Sequence, residues 1–213
     1  QVLPYGHYKI SESKSPTGYL TTGAVDREFD IVNDGEIVDL TDEAHSIYNQ
    51  IIRGDIEGVK IGDGTHKRLA NVPFRITSKT TGESHIIVTD ANGQFSTFSD
   101  WVSHKQNTNA GKNSEDGIWF GTSTADDSKG ALLYDTYIIE ELRCDSNKGM
   151  TLSPAFDVVV SRNKVVVDLG TLTDEYEPEI TIHTTATDKV TGEKSIVAGK
   201  NVTIVDTVTL DGL

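Results

Sequence analysis

The sequence predicts an all-β protein, a tandem array of immunoglobulin-like or prealbumin-like β-sandwiches, and three observations carry that prediction. Thr, Val and Ile are frequent while helical periodicity is scarce. Turn signals recur roughly every eight to twelve residues, at Asn33-Asp34-Gly35, Asp63-Gly64, Thr81-Gly82, Asn92-Gly93 and Thr191-Gly192, the rhythm of short antiparallel strands. The chain also repeats itself. LPYGHYKISE near the start and LLYDTYIIEE later both carry Y-x-I-x-E, which sets Glu12 against Glu141.

Taken in order, residues 1–52 read as the C-terminal part of a first β-domain that lacks its N-terminal half. A strand reaches Glu12, a turn follows at Pro16-Thr17-Gly18-Tyr19, and FDIVNDGEIVDL reads as a hairpin ending in V-D-L. LTDEAHSIYNQIIRG is then expected as a loop leading into a strand. Residues 53–177 read as a complete second domain that ends on the same pattern. Glu141 is followed by Lys148-Gly149-Met150 and by FDVVVSRNKVVVDL, again expected as a hairpin. Its departure from a compact sandwich is an insertion over about 96–131, rich in Gly, Ser and Asn and holding both tryptophans. Residues 178–213 read as the N-terminal part of a third β-domain, and the chain as a segment of a longer, stalk-like one.

Composition excludes several functions. The net charge is −14, from 33 acidic against 19 basic residues. That balance argues against nucleic acid and anionic lipid as partners, since both demand a basic surface. No apolar run is long enough to span a bilayer, and no signal peptide opens the chain. The six histidines are scattered without metal-ligand spacing, and neither G-x-S-x-G nor a phosphate loop occurs. Asp90-Ala91-Asn92-Gly93 lacks the full calcium-loop pattern and reads as a hairpin turn. No metal and no cofactor are expected. Cys144 is the one cysteine, so no intramolecular disulfide can form. A domain working outside a cell would need a staple other than sulfur.

The motifs L-A-N-V-P-F at 69–74, T-D-A-N-G-Q-F at 89–95, both Y-x-I-x-E strands, E-x-x-x-P-x-G-Y from Glu12 to Tyr19 and, more loosely, the stretch from Lys60 to Thr65 carry a resemblance. Over roughly residues 1–177 the chain resembles the collagen-adhesin B-type (Cna-B, SpaA-like pilin) domains of Gram-positive surface proteins. The resemblance implies that a first-strand lysine condenses with an asparagine or aspartate on the last strand, assisted by a central glutamate. Burial favours the neutral amine that can attack and the protonated carboxyl that can polarise the carbonyl under attack. Mapped onto this sequence, Lys60 is the nucleophile, Glu141 the assisting acid and Asp174 the acceptor, with Asp168 as the alternative. Glu12 and Asn49 match the assisting and acceptor positions of the first domain, whose lysine would lie upstream of Gln1. Glu140 should face the other way, towards solvent. H-T-T-A-T-D at 183–188 and I-V-D-T-V at 204–208 resemble the opening of a Thr–Gln ester-bond domain with VaFE-type repeats. This implies Thr184 as the ester-forming hydroxyl and Asp206 as an assisting acid, with the remaining residues of that site beyond Leu213.

The expected function is a structural stalk segment of a cell-wall-anchored, extracellular adhesin or pilin, self-crosslinking once rather than acting as an enzyme. A host or matrix ligand would be met by other parts of the full protein, with neighbouring stalk modules as partners and no membrane contact. The alternative is a glycan- or peptide-binding module using Trp101 and Trp119, which otherwise serve to pin the insertion to its own sandwich.

Overall fold

A computed structural model describes residues 2–20, 26–41, 48–64, 66–109, 117–177, 180–195, 198–199 and 201–211. These residues form fifteen β-strands and one short 3-10 turn, with no α-helix among them. The expected loop around residue 45 falls largely outside them, since 42–47 are not described. The chain divides into a unit of residues 1–175 and a unit of residues 176–213.

The strands opening the first unit are β1 (Gly6–Ile10), β2 (Tyr19–Leu20), β3 (Arg27–Ile31) and β4 (Gln50–Ile51). Strand β1 pairs antiparallel with β3, where Tyr8 stacks on Phe29, and β2 pairs with β4. Then come β5 (Arg53–Gly62), β6 (Pro73–Ser78), β7 (Ser84–Val88), β8 (Gln94–Ser96), β9 (Leu132–Leu133), β10 (Asp135–Glu141), β11 (Met150–Thr151), β12 (Phe156–Val160) and β13 (Val166–Tyr176). Two sheets face one another here. One runs β12-β10-β6-β7; the other runs β11-β13-β5-β8, with β9 beside β5.

Alternation explains which residues fill the space between the sheets. Along β10, Tyr137, Ile139 and Glu141 are buried while Ile138 and Glu140 are only half-buried. Along β5, Ile56, Gly58 and Lys60 turn inward and Glu57 outward. Side chains on successive strand residues point to opposite faces, so one inward glutamate and one inward lysine follow directly from these registers. The surrounding core includes Ile56, Phe74, Ile76, Phe95, Tyr137 and Ile139, with Phe74 stacked on Phe95 at 4.8 Å.

The repeat survives in three dimensions. Tyr8 and Tyr137 each donate their hydroxyl to a carbonyl four residues back, Pro4 at 2.6 Å and Leu133 at 3.0 Å. The expected hairpins, however, do not form. Strands β12 and β13 belong to different sheets, so the turn between them carries the chain across the core instead of back along one sheet. Strand β13 pairs with β5, and in parallel. Two consecutive apolar runs joined by a turn fit either connection locally; here each run has an apolar inward edge that is buried only by joining a separate layer. In the first copy, residues 35–40 form no strand.

The second unit holds β14 (Thr181–Asp188) and β15 (Ile204–Asp211), an antiparallel pair in register from Thr181↔Asp211 to Asp188↔Ile204.

Candidate functional site

The inward-facing polar residues of β5, β10 and β13 meet at one point. Lys60 Nζ lies 2.5 Å from Asp174 Oδ1 and 2.8 Å from Glu141 Oε2, and all three side chains are completely shielded from solvent. Parallel pairing sets Leu172 opposite Lys60, which brings Asp174, two residues on, to the same face. The two turn motifs of the sequence clamp the lysine's backbone. Leu69 N–H donates to the Lys60 carbonyl at 3.0 Å, and Lys60 N–H donates to the Gly93 carbonyl at 2.7 Å. Gly93 has φ +68°, and a Cβ there would come within 2.5 Å of the Lys60 carbonyl oxygen, so the approach requires glycine.

Two residues that no sequence motif marks complete the cluster. Asn147, fully buried in the 3-10 turn after β10, donates its amide to Glu141 Oε1 at 2.9 Å and to the Leu142 carbonyl at 3.0 Å. Ser153, between β11 and β12, accepts a hydrogen bond from Lys60 Nζ at 2.9 Å. Its backbone N–H donates to Glu141 Oε2 at 3.1 Å and to Asp174 Oδ1 at 3.0 Å. Ser153 draws its partners from other strands, whereas Asn147 reaches back five and six residues to Leu142 and Glu141 across the turn. Asp174 Oδ2 is buried with no hydrogen-bond partner among the described residues.

Burial pushes the Glu141 carboxyl above the usual carboxylate range; the Lys60 ammonium opposes the rise and the Asp174 carboxyl beside it reinforces it. An amine, a carboxyl with raised proton affinity and a second carboxyl are therefore in contact, away from water. That arrangement can do condensation chemistry, since the amine is held in direct contact with a carboxyl group.

Other expected residues lie as follows. Asp168 is far along β13, beyond a register shift between Asp168 and Thr171, and caps its own turn by accepting from Gly170 N–H at 2.7 Å. It makes no contact with Lys60. Glu140 points outward and pairs with Arg75 at 2.8 Å. In the first region, Asn49 Nδ2 donates to Glu12 Oε1 at 2.9 Å, while Glu12 Oε2 and Asn49 Oδ1 are buried without a partner among the described residues. In the second unit Thr184 pairs with Val208 and Asp206 with Ala186, so Thr184 and Asp206 share one exposed face as diagonal neighbours.

The tryptophans have different surroundings. Trp119 lies under the Arg53 guanidinium, 3.8 Å from the ring centre, and donates its indole N–H to the Ser123 carbonyl at 2.8 Å. Arg53 is itself buried and donates to the Phe120 and Ala131 carbonyls, fastening the insertion to β5. Trp101 is 41% exposed beside a cleft of about 210 Å³ bordered by Glu57, Gln94 and Asp168. Among the described residues no cluster of His, Cys, Asp and Glu could hold a metal, and no helix is long and apolar enough to cross a membrane.

No protein-family model and no curated protein sequence matches this chain. Solved structures do. The TIE protein of Bacillus anthracis is similar over 97% of this chain and 35% of its own, at 15% identity and a TM-score of 0.52. A variant of BcpA, the major pilin subunit of Bacillus cereus, is similar over 70% of this chain and 34% of its own, at 16% identity and a TM-score of 0.38. GBS52, the minor pilin of the Gram-positive pathogen Streptococcus agalactiae, is similar over 83% of this chain and 62% of its own, at 16% identity and a TM-score of 0.37. At such identities the likeness is one of fold, and the chain spans only about a third of the length of the TIE protein. The all-β, sandwich-type fold expected from the sequence is the fold observed, and the TIE protein shares it.

Proposed function

We infer that this chain is a structural stalk segment of a pilin- or adhesin-type surface protein, whose second sandwich is closed by an isopeptide bond between Lys60 and Asp174. The observation that carries this reading is the fully buried contact of Lys60 Nζ with both Asp174 and Glu141. A buried ion pair seldom stabilises a fold as well as apolar residues of the same volume, and here one cation faces two carboxyls. Condensation removes the charge of one carboxyl and of the amine together. The ammonium of Lys60 and the carboxylate of Asp174 become an amide and a water, with Glu141 taking a proton from Nζ and returning it to the acceptor. The bond forms once per molecule, so the chain is its own substrate and not a turnover enzyme.

The stalk reading extends to place and partners. An outer cell-wall location suits a bond that resists force and proteolysis and needs no oxidant, and adjoining sandwich modules are the natural neighbours. Glu12 with Asn49, and Thr184 with Asp206, are proposed as partial sites of the flanking modules. A glycan- or peptide-binding role would fall to Trp101 alone, since Trp119 is occupied by Arg53 and Ser123.

The test is the intact mass of the purified protein under denaturing conditions. The unaltered chain should be lighter than its sequence by one water, and Lys60→Ala and Glu141→Ala should each show the full mass expected for their sequence. A full-mass unaltered chain overturns the bond.

A further inference from the structure

Bond formation leaves a proton-balance problem that Glu141 alone meets only by acting twice. The Lys60 nitrogen starts with three hydrogens and ends, as an amide, with one. Two protons must therefore reach the Asp174 oxygen that departs as water. Glu141 Oε2, 2.8 Å from Nζ, serves as the first carrier.

A second carrier touches the same reacting pair. Ser153 Oγ lies 2.9 Å from Lys60 Nζ and 3.2 Å from Asp174 Oδ1, and its other acceptor is the Thr173 carbonyl at 3.2 Å. Pro154 follows it directly, and the residue before a proline is held to extended backbone, which fixes the hydroxyl's approach. Its backbone N–H spans both carboxyls, at 3.1 Å from Glu141 and 3.0 Å from Asp174. One residue thus touches the nucleophile, the acceptor and the assisting acid.

We propose that Ser153 is a catalytic proton relay in this condensation, a role that rests on the isopeptide reading above. As Nζ bonds to the Asp174 side-chain carbon, the nitrogen gives one proton to Glu141 and a second to Ser153 Oγ. Ser153 passes its own hydroxyl proton to Asp174 Oδ1, and Glu141 returns its proton to the same oxygen. The bond from that oxygen to carbon breaks, water leaves, and Oδ2 remains as the amide carbonyl. Ser153 and Glu141 end as they began. Meanwhile the Ser153 N–H holds the two carboxyls in place.

The experiment follows the reaction in the full chain, made by cell-free translation, with aliquots quenched in denaturing acid and weighed intact. Ser153→Ala keeps the backbone N–H and loses only the hydroxyl, so loss of water should slow about 100-fold. Ser153→Thr restores a hydroxyl and should recover most of the rate. Added to Lys60→Ala, which cannot react, Ser153→Ala should leave the melting temperature unchanged. A Ser153→Ala protein that reacts at the unaltered rate overturns the relay and leaves the bond standing. Slow reaction accompanied by a lower melting temperature in the Lys60→Ala background, or no rescue by threonine, assigns Ser153 a structural role instead. An unaltered chain that never loses water removes the isopeptide reading and the relay with it.

Discussion

The two Y-x-I-x-E segments end on glutamates with unequal company. Glu141 sits against Lys60, Asn147 and the Ser153 N–H, with Asp174 bound to the same lysine. Glu12 meets the amide of Asn49, and two oxygens of that pair are buried without a partner among the described residues. The glutamate's position thus follows from the repeated pattern, which both copies share, and not from its partners. What differs among the described residues is the neighbouring strand. In the second region β5 lies alongside β13 and delivers a lysine into the core. In the second region that strand sets an amine against the shared scaffold position.

Removing the amine from beside Glu141 should have the largest effect. The proposed Lys60–Asp174 link would close a separation of 114 residues in sequence. By the chain-entropy relation used for disulfides, a loop of that size is worth about 5 kcal/mol. Lys60→Ala should therefore melt roughly 10–20 °C below the unaltered protein by calorimetry. A difference of a degree or two would show that no covalent closure distinguishes the regions.

A smaller effect is expected at the amide each glutamate retains. Asn147 is fully buried, and Asn147→Ala would leave Glu141 Oε1 and the Leu142 carbonyl short of a donor. Compared within the Lys60→Ala background, so that no covalent bond obscures the result, the cost should be about 1–3 kcal/mol, or several degrees in melting temperature. An unchanged melt would mean that Asn147 does not hold Glu141.

Much of this comparison is legible in the residues, and the illegible parts share a cause. Tyr137, Ile139 and Glu141 alternate with outward residues, so an inward glutamate follows from the pattern alone. The same holds for Ile56, Gly58 and Lys60. The choice between Asp168 and Asp174 is not legible, because it depends on a parallel pairing and on the register shift between Asp168 and Thr171. The expected hairpins fail for a similar reason: β12 and β13 carry strand-like sequence, but nothing in FDVVVSRNKVVVDL says which sheet each joins. Ser153 acts through contacts to Lys60 and Asp174 made only after the sheets close, and Asn147 through a turn geometry that no motif announces. Trp119 admits two readings as sequence, and only the fold sets Arg53 over its ring. Periodicity encodes which way a residue faces, whereas the identity of what it faces is a tertiary property.

The finest probe of the buried glutamate is pH. Burial raises the Glu141 carboxyl above its ordinary value of 4.5, and Lys60 works against that rise, so Lys60→Ala should raise it further. A carboxyl whose folded-state value is raised binds more protons when folded than when unfolded. Between 4.5 and the raised value, stability must therefore fall as pH rises. The favourable contribution is complete below the unfolded-state value and is lost as pH climbs through the folded one. In Lys60→Ala the melting temperature should consequently decline from pH 4.5 upward by a few degrees, since each tenfold change in proton affinity is worth about 1.4 kcal/mol. Adding Glu141→Gln, which cannot ionise, should flatten that decline, and the gap between the two variants should widen with pH. Parallel curves would mean that Glu141 is as well accommodated ionised as protonated.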